Sequence, residues 1–169
     1  MKGDAGFSTD EVYRYWLSRS WRPFGLLPEN PLVVCGANPS TADATKNDPT
    51  ITREIGFAKE WGHDGLIKIN AFAFRATDPD DLYKTVADPV GPENDEAIRR
   101  NARGRRVLCA WGKIGRYLKR DERVVELLLE VGAELLCLGT NKDGTPKHPL
   151  YLKKTAKPVP YTGVCHGRN

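Results

Sequence analysis

Pro31-Leu32-Val33-Val34-Cys35-Gly36-Ala37-Asn38-Pro39-Ser40 decides how the rest of this 169-residue chain is read. Its first five residues form a continuous apolar run, too short for a helix, in the pattern of a strand buried on both faces. A polar loop follows to about Asn47. Asp48-Pro49 then offers an N-cap acid and a proline suited to the first helical turn. The helix it opens places Ile51, Ile55 and Ala58 on one face and stops at Gly62. Outward from this unit, Gly65–Ile69, Arg106–Ala110 and Glu134–Leu138 read as three more strands. Helical stretches separate them at about Asn94–Arg103, about Lys113–Lys119 and Glu122–Val131. In the last, Val124, Leu127, Leu128 and Val131 repeat with a 3.6-residue period. This alternation predicts an α/β fold, a three-layer α/β/α sandwich around a central four-stranded parallel sheet. Upstream, Ser8-Thr9-Asp10-Glu11 reads as a capping box opening a helix through about Trp16. Residues 1–169 read as a single domain, with a core at about 31–152 between that N-terminal helix and a C-terminal tail.

Apolar residues make up 40% and charged residues 28% of the chain, the balance of an ordinary globular domain. No apolar run is long enough to cross a bilayer, and no charged start leads into a signal core, so the expectation is a cytoplasmic protein that meets no membrane. The length fits one core, and a monomer is expected. Cys35, Cys109 and Cys137 sit within apolar runs, where a thiol behaves as a small buried hydrophobe. Cys165 precedes His166, but one such pair builds no metal site, and CxxC spacing is absent. No metal and no cofactor are expected.

Net charge is +4, and its distribution is uneven. Residues 1–90 hold ten Lys/Arg against thirteen Asp/Glu, whereas residues 91–169 hold sixteen against nine. The basic half points to an anionic partner, with DNA the first candidate. A solvated basic helix with no partner is the plainer account. Arg99, Arg100 and Arg103 crowd together with Arg105 and Arg106. Lys113 follows, and Lys142 and Lys147 flank a later loop; these are the expected phosphate contacts.

Ligands of open parallel sheets bind beyond the carboxyl ends of the strands. There the sequence places Gly36-Ala37-Asn38-Pro39-Ser40, then Asn70-Ala71-Phe72, then Trp111-Gly112-Lys113. After the fourth strand come Gly139-Thr140-Asn141 and a loop reaching His148-Pro149-Leu150-Tyr151. Each group alone has a plain account. Asn before Pro is turn chemistry, and a solitary His is commonly structural.

Together, the order resembles the uracil-DNA glycosylase superfamily. Gly36-Ala37-Asn38-Pro39 is similar to its first motif, in the form used by the mismatch thymine/uracil branch. Leu66-Ile67-Lys68-Ile69-Asn70 resembles the strand that presents a base-reading Asn, and Val107–Lys113 the Trp-Gly strand end. His148-Pro149 resembles the His-Pro motif, although Leu150 and Tyr151 stand where Ser-Pro is usual. Closer still, Asn38–Asp43, Asp48–Ile51, Arg75–Pro79 and His148–Leu152 resemble a bacterial and phage family catalogued as a domain of unknown function, the sixteen-forty-three one.

The resemblance implies a DNA glycosylase that flips a base from DNA and cuts its N-glycosidic bond. His148 would donate to the departing base, Asn38 would hold the attacking water, and Asn70 would read the base edge. Gly36 and Ala37 would border the base, and Phe72 would stack on it. An amide accepts no proton, so Asp43 or Asp48 would supply a carboxylate, although Asp48 also reads as a plain N-cap. Ser40 stands where strict uracil enzymes carry an aromatic wall. The expected substrate is therefore a 5-substituted pyrimidine, in repair or in defence against modified phage DNA. Three other readings stay open. One is an enzyme hydrolysing free nucleosides or nucleotides, and another is a non-catalytic DNA or modified-base sensor. The third, a flavodoxin-like nucleotide binder, lacks a glycine-rich phosphate loop.

Overall fold

The computed structural model describes residues 1–85 and 87–163. The strands are β1 (Lys2–Phe7), β2 (Arg14–Ser20), β3 (Pro31–Gly36), β4 (Gly65–Asn70), β5 (Arg106–Cys109), β6 (Glu134–Cys137) and β7 (Val159–Pro160). The helices are α1 (Pro49–Glu60), the single turn α2 (Asp81–Lys84), α3 (Asn94–Ala102) and α4 (Arg120–Glu130). Among the described residues the seven strands form one mixed sheet in the order β1-β2-β4-β3-β5-β6-β7. The four strands expected from the sequence are present and mutually parallel at its centre, with β3 between β4 and β5. The four-stranded sheet is nonetheless too small a description. β1 and β2 extend one edge antiparallel, and β7 closes the other.

The N-terminal helix is the clearest departure. Ser8–Trp16 forms the turn of the β1–β2 hairpin and the start of β2 instead. The capping-box residues serve that turn: Ser8 Oγ accepts from Tyr13 N at 3.0 Å, and Asp10 Oδ1 accepts from Val12 N and from Ser8 Oγ. Ser and Asp side chains offer the backbone this alternative wherever the next residues prefer a strand. Tyr13, Tyr15, Trp16 and Leu17 do. The stretch Lys113–Lys119 is likewise not a regular helix. It is a set of 3-10 turns interrupted at Tyr117 and Leu118.

Alternation along β3 divides the core. Leu32 and Val34 pack with Ile51, Ile55 and Ala58 of α1 on one face. Val33 and Cys35 pack with Ile98 of α3 and Val124, Leu127 and Leu128 of α4 on the other. Burying each such side chain stabilises the fold by about 1.5–3 kcal/mol, so a strand apolar on both faces fixes both helix layers. Cys35, Cys109 and Cys137 are buried and free, as their apolar runs require. Cys165 and His166 lie outside the described residues. Among the described residues no helix is long and apolar enough to cross a membrane.

The chain runs from β3 to β4 on one side of the sheet and then returns to place β5 on the other side of β3. Such a reversal opens a crevice at the carboxyl ends of the strands.

Candidate functional site

A cavity of about 270 Å³ occupies that crevice. Its lining includes Asn38 after β3, Asn70 at the end of β4, Trp111 to Ile114 after β5, and His148 from the loop after β6. The three residues singled out by sequence order therefore border one space. Ala37, Ser40 and Lys113 line it as well.

The Asn70 side chain is the most telling. The residue is 1% exposed, and neither its Oδ1 nor its Nδ2 has a hydrogen-bond partner among the described residues. A buried amide without partners costs about 1–3 kcal/mol for each lost bond, and both ends of this one are left to bond whatever enters the cavity. Gly36 lies against this group. A Cβ at Gly36 would stand 3.0 Å from Asn70 Oδ1 and 2.5 Å from Lys68 Nζ.

Asn38 is held differently. Its Nδ2 donates to the backbone oxygens of Pro39 at 3.0 Å and Ala76 at 2.9 Å. The amide is thereby oriented with its oxygen as the remaining group, an acceptor suited to water.

His148 opens the 3-10 turn Pro149–Tyr151, where its Nδ1 accepts from Leu150 N at 3.3 Å. Burial, with a smaller contribution from Lys68, brings its pKa down to about 4. The ring is therefore neutral at pH 7. With Nδ1 accepting, its proton belongs on Nε2. The turn is anchored to the sheet by Gly112 N to Pro146 O and Lys147 N to Gly139 O, both 3.0 Å.

Of the two candidate acids, Asp48 reaches the cavity and Asp43 does not. Asp48 Oδ1 accepts from Ile51 N at 2.8 Å, capping α1, while the residue also borders the cavity. Asp43 folds onto its own loop, accepting from Thr45 N and Lys46 N at 2.8 Å each. Those bonds hold its carboxyl below the ordinary value. Phe72 is also displaced from its expected role. It is wholly buried in the core, its ring 5.8 Å from that of Tyr117, and it does not line the cavity.

Two cations of the cavity wall were not expected from the sequence. Lys68 is 4% exposed and pairs with Glu54 of α1, which is 0% exposed. Desolvation lifts the Glu54 carboxyl above its ordinary value despite this partner. Arg14, at the start of β2, is 1% exposed and donates from Nη1 to Ala42 O at 2.6 Å. Lys68 carried a signal, a lysine inside a strand otherwise buried on both faces, which demands a partner. Arg14 carried none, because its segment reads as a helix.

The basic cluster separates in space. Lys113 lines the cavity, and Lys142 and Lys147 belong to the hairpin-like loop packed on Gly112. Arg99, Arg100 and Arg103 do not join them. α3 starts beside the end of β4, where Asn94 Nδ2 donates to Asn70 O, and runs away from it. At about 1.5 Å per residue, its last turn lies at the opposite end of the sheet. Arg99 also pairs with Glu96 and Glu130. A larger open groove of about 900 Å³ adjoins the cavity at Asp48 and is lined in part by Arg53, Phe57, Lys154 and Lys157.

Residues 14–150, from Arg14 of the cavity wall to the turn after His148, match the family described as a protein of unknown function, DUF1643. The chain belongs to the DUF1643 family. No curated protein and no solved structure matches it. The match spans every strand end of the cavity, and the DUF1643 description assigns no activity.

Proposed function

We propose that the cavity receives a single nucleobase extruded from DNA and that the protein hydrolyses its N-glycosidic bond. The observation that carries this reading is the buried Asn70 amide, with both donor and acceptor unused, on a cavity shared with His148 and Asn38. A volume of about 270 Å³ lies just below the roughly 300–1,000 Å³ of drug-sized sites and suits one ring system. The amide offers complementary bonds to a base edge, and a site built to make such bonds discriminates strongly against an edge that lacks them.

Cleavage breaks the bond between C1′ and the base nitrogen. The base leaves with the electron pair, and water adds to C1′ to give an abasic sugar. His148 Nε2–H donates to the oxygen where negative charge gathers on the base, a contact worth about 3–4 kcal/mol when pre-aimed. Asn38 Oδ1 holds the water, and Asp48 accepts its proton. Ser40 leaves the side of the base open, which fits a 5-substituted pyrimidine. Lys113, Lys142 and Lys147 offer sequence-blind contacts to phosphates at the rim. The groove with Arg53, Lys154 and Lys157 adjoins the same mouth.

The test incubates the protein with duplexes and single strands carrying uracil, mismatched thymine or 5-modified cytosines and scores abasic sites. Abasic product that Asn70→Ala and His148→Ala abolish supports the reading; no product on any DNA ends it. A second reading, hydrolysis of a free nucleoside or nucleotide, is favoured by Arg99, Arg100 and Arg103 lying away from the cavity. Turnover of free modified nucleotide without action on DNA selects it.

A further inference from the structure

Arg14 is a cation enclosed in protein with no carboxylate in ion-pair contact among the described residues. It is 1% exposed, Asp48 and Glu54 act on it only from farther off, and its one side-chain hydrogen bond among the described residues goes to the neutral Ala42 oxygen. Its Nε is buried and has no partner among the described residues. Burying a charge is costly unless an opposite charge or several hydrogen bonds compensate it. The side chain lines the cavity, so whatever fills the cavity meets the unused guanidinium edge. Among the described residues, Lys68 lines the same space with Glu54 Oε1 as its one bonded partner and further ammonium hydrogens available. Lys113 adds a third cation at the wall, against Asp48 as the single lining carboxylate of the described residues.

We infer that Arg14 and Lys68 form an oxyanion subsite inside the cavity, so that the ligand carries a carboxylate or phosphate group. The inference rests on the cavity being the ligand site and is independent of whether a glycosidic bond is cut there. The planar guanidinium presents parallel N–H groups that match either oxyanion, and the ammonium supplies a point charge beside it. Two sources share this chemistry. A carboxylate can be borne on the ring of the base, or a phosphate can be borne on the sugar of a nucleotide.

The experiment measures binding of free probes to the intact chain by titration calorimetry and thermal shift. The probes are uracil, deoxyuridine, 5-carboxyuracil, deoxyuridine monophosphate and inorganic phosphate. The expected result is binding at least about tenfold tighter for one anionic probe than for its neutral counterpart, the gain of one charged hydrogen bond. 5-Carboxyuracil over uracil identifies a base substituent, and deoxyuridine monophosphate over deoxyuridine identifies a phosphate. Arg14→Gln and the double change Lys68→Met with Glu54→Leu, which leaves no buried charge unpaired, each remove the preference, and inorganic phosphate competes with the preferred probe. Should Arg14→Gln fail to fold, Arg14→Lys keeps the charge, loses the fork and reduces the preference, with the Lys68→Met, Glu54→Leu double variant as the independent check. Equal binding of neutral and anionic probes, or binding of none, overturns the subsite. Abasic product without an anion preference overturns this inference alone, whereas an anion preference without abasic product on any DNA overturns the glycosylase reading alone.

Discussion

Lys68 Nζ and Glu54 Oε1 form an ion pair whose side chains are 5% and 0% exposed, linking the middle of β4 to α1 directly beside the cavity. Removing one member strands the other. Glu54→Gln is expected to lower stability by about 3–5 kcal/mol, read as a fall in the urea midpoint. The double change Glu54→Leu with Lys68→Met recovers most of that loss, because no unpaired charge remains. Equal destabilisation by the double variant would show that the pair contributes through packing instead.

Asn70 predicts a trade between stability and function. Its amide is buried without partners, so Asn70→Leu is expected to leave the melting temperature unchanged or raise it. Base excision falls in the same variant by about 10²–10³-fold, the scale of one lost pre-aimed contact. A variant that melts earlier in proportion to its lost activity would mark Asn70 as a structural residue.

His148 makes stability depend on pH in a defined window. Its folded pKa, about 4, lies below the ordinary 6.5, so the neutral form is favoured in the fold. Between these values the unfolded chain binds the extra proton, and stability therefore falls as pH drops from about 6.5 toward 4. His148→Gln is expected to flatten this segment of the stability curve, while the wild type keeps its full contribution above pH 6.5. Excision by the neutral ring persists down to about pH 5 and fails near pH 4. Identical pH–stability curves for the two proteins would contradict the assignment.

Position in the fold separates the basic residues. Lys113→Glu with Lys147→Glu is expected to weaken binding to DNA at least about tenfold and to reduce its salt dependence. Arg100→Glu with Arg103→Glu, at the far end of the sheet, leaves both unchanged. Fluorescence anisotropy across a salt series distinguishes the pairs, and the reverse pattern would move the DNA face to the amino ends of the strands.

The parallel centre of the sheet was legible because its strands are uninterrupted apolar runs and its helices carry a clean stripe, as from Val124 to Leu128. The cavity followed from the same pattern, since strand ends collect whatever polar residues terminate the runs: Asn38, Asn70 and, across the last loop, His148. The hairpin was hidden because Ser8 and Asp10 make identical sequence signals for a helix cap and for a turn; only the strand preference of Tyr13 to Leu17 separates them. Arg14 was hidden with it. The arginines misled for another reason. Closeness in sequence becomes separation in space when a strand crosses the sheet between two residues: Arg103 precedes β5 and Lys113 follows it, so they stand at opposite ends of that strand.

Because Arg14 enters the crevice from β2, an antiparallel strand hydrogen-bonded to β4, the cavity is not a property of the parallel unit alone. A fragment beginning at Pro31 keeps Asn38, Asn70 and His148 on their own elements yet has an open flank where the guanidinium stood. Shortening the chain to its apparent minimum thus parts the three polar groups from the buried cation that faces them.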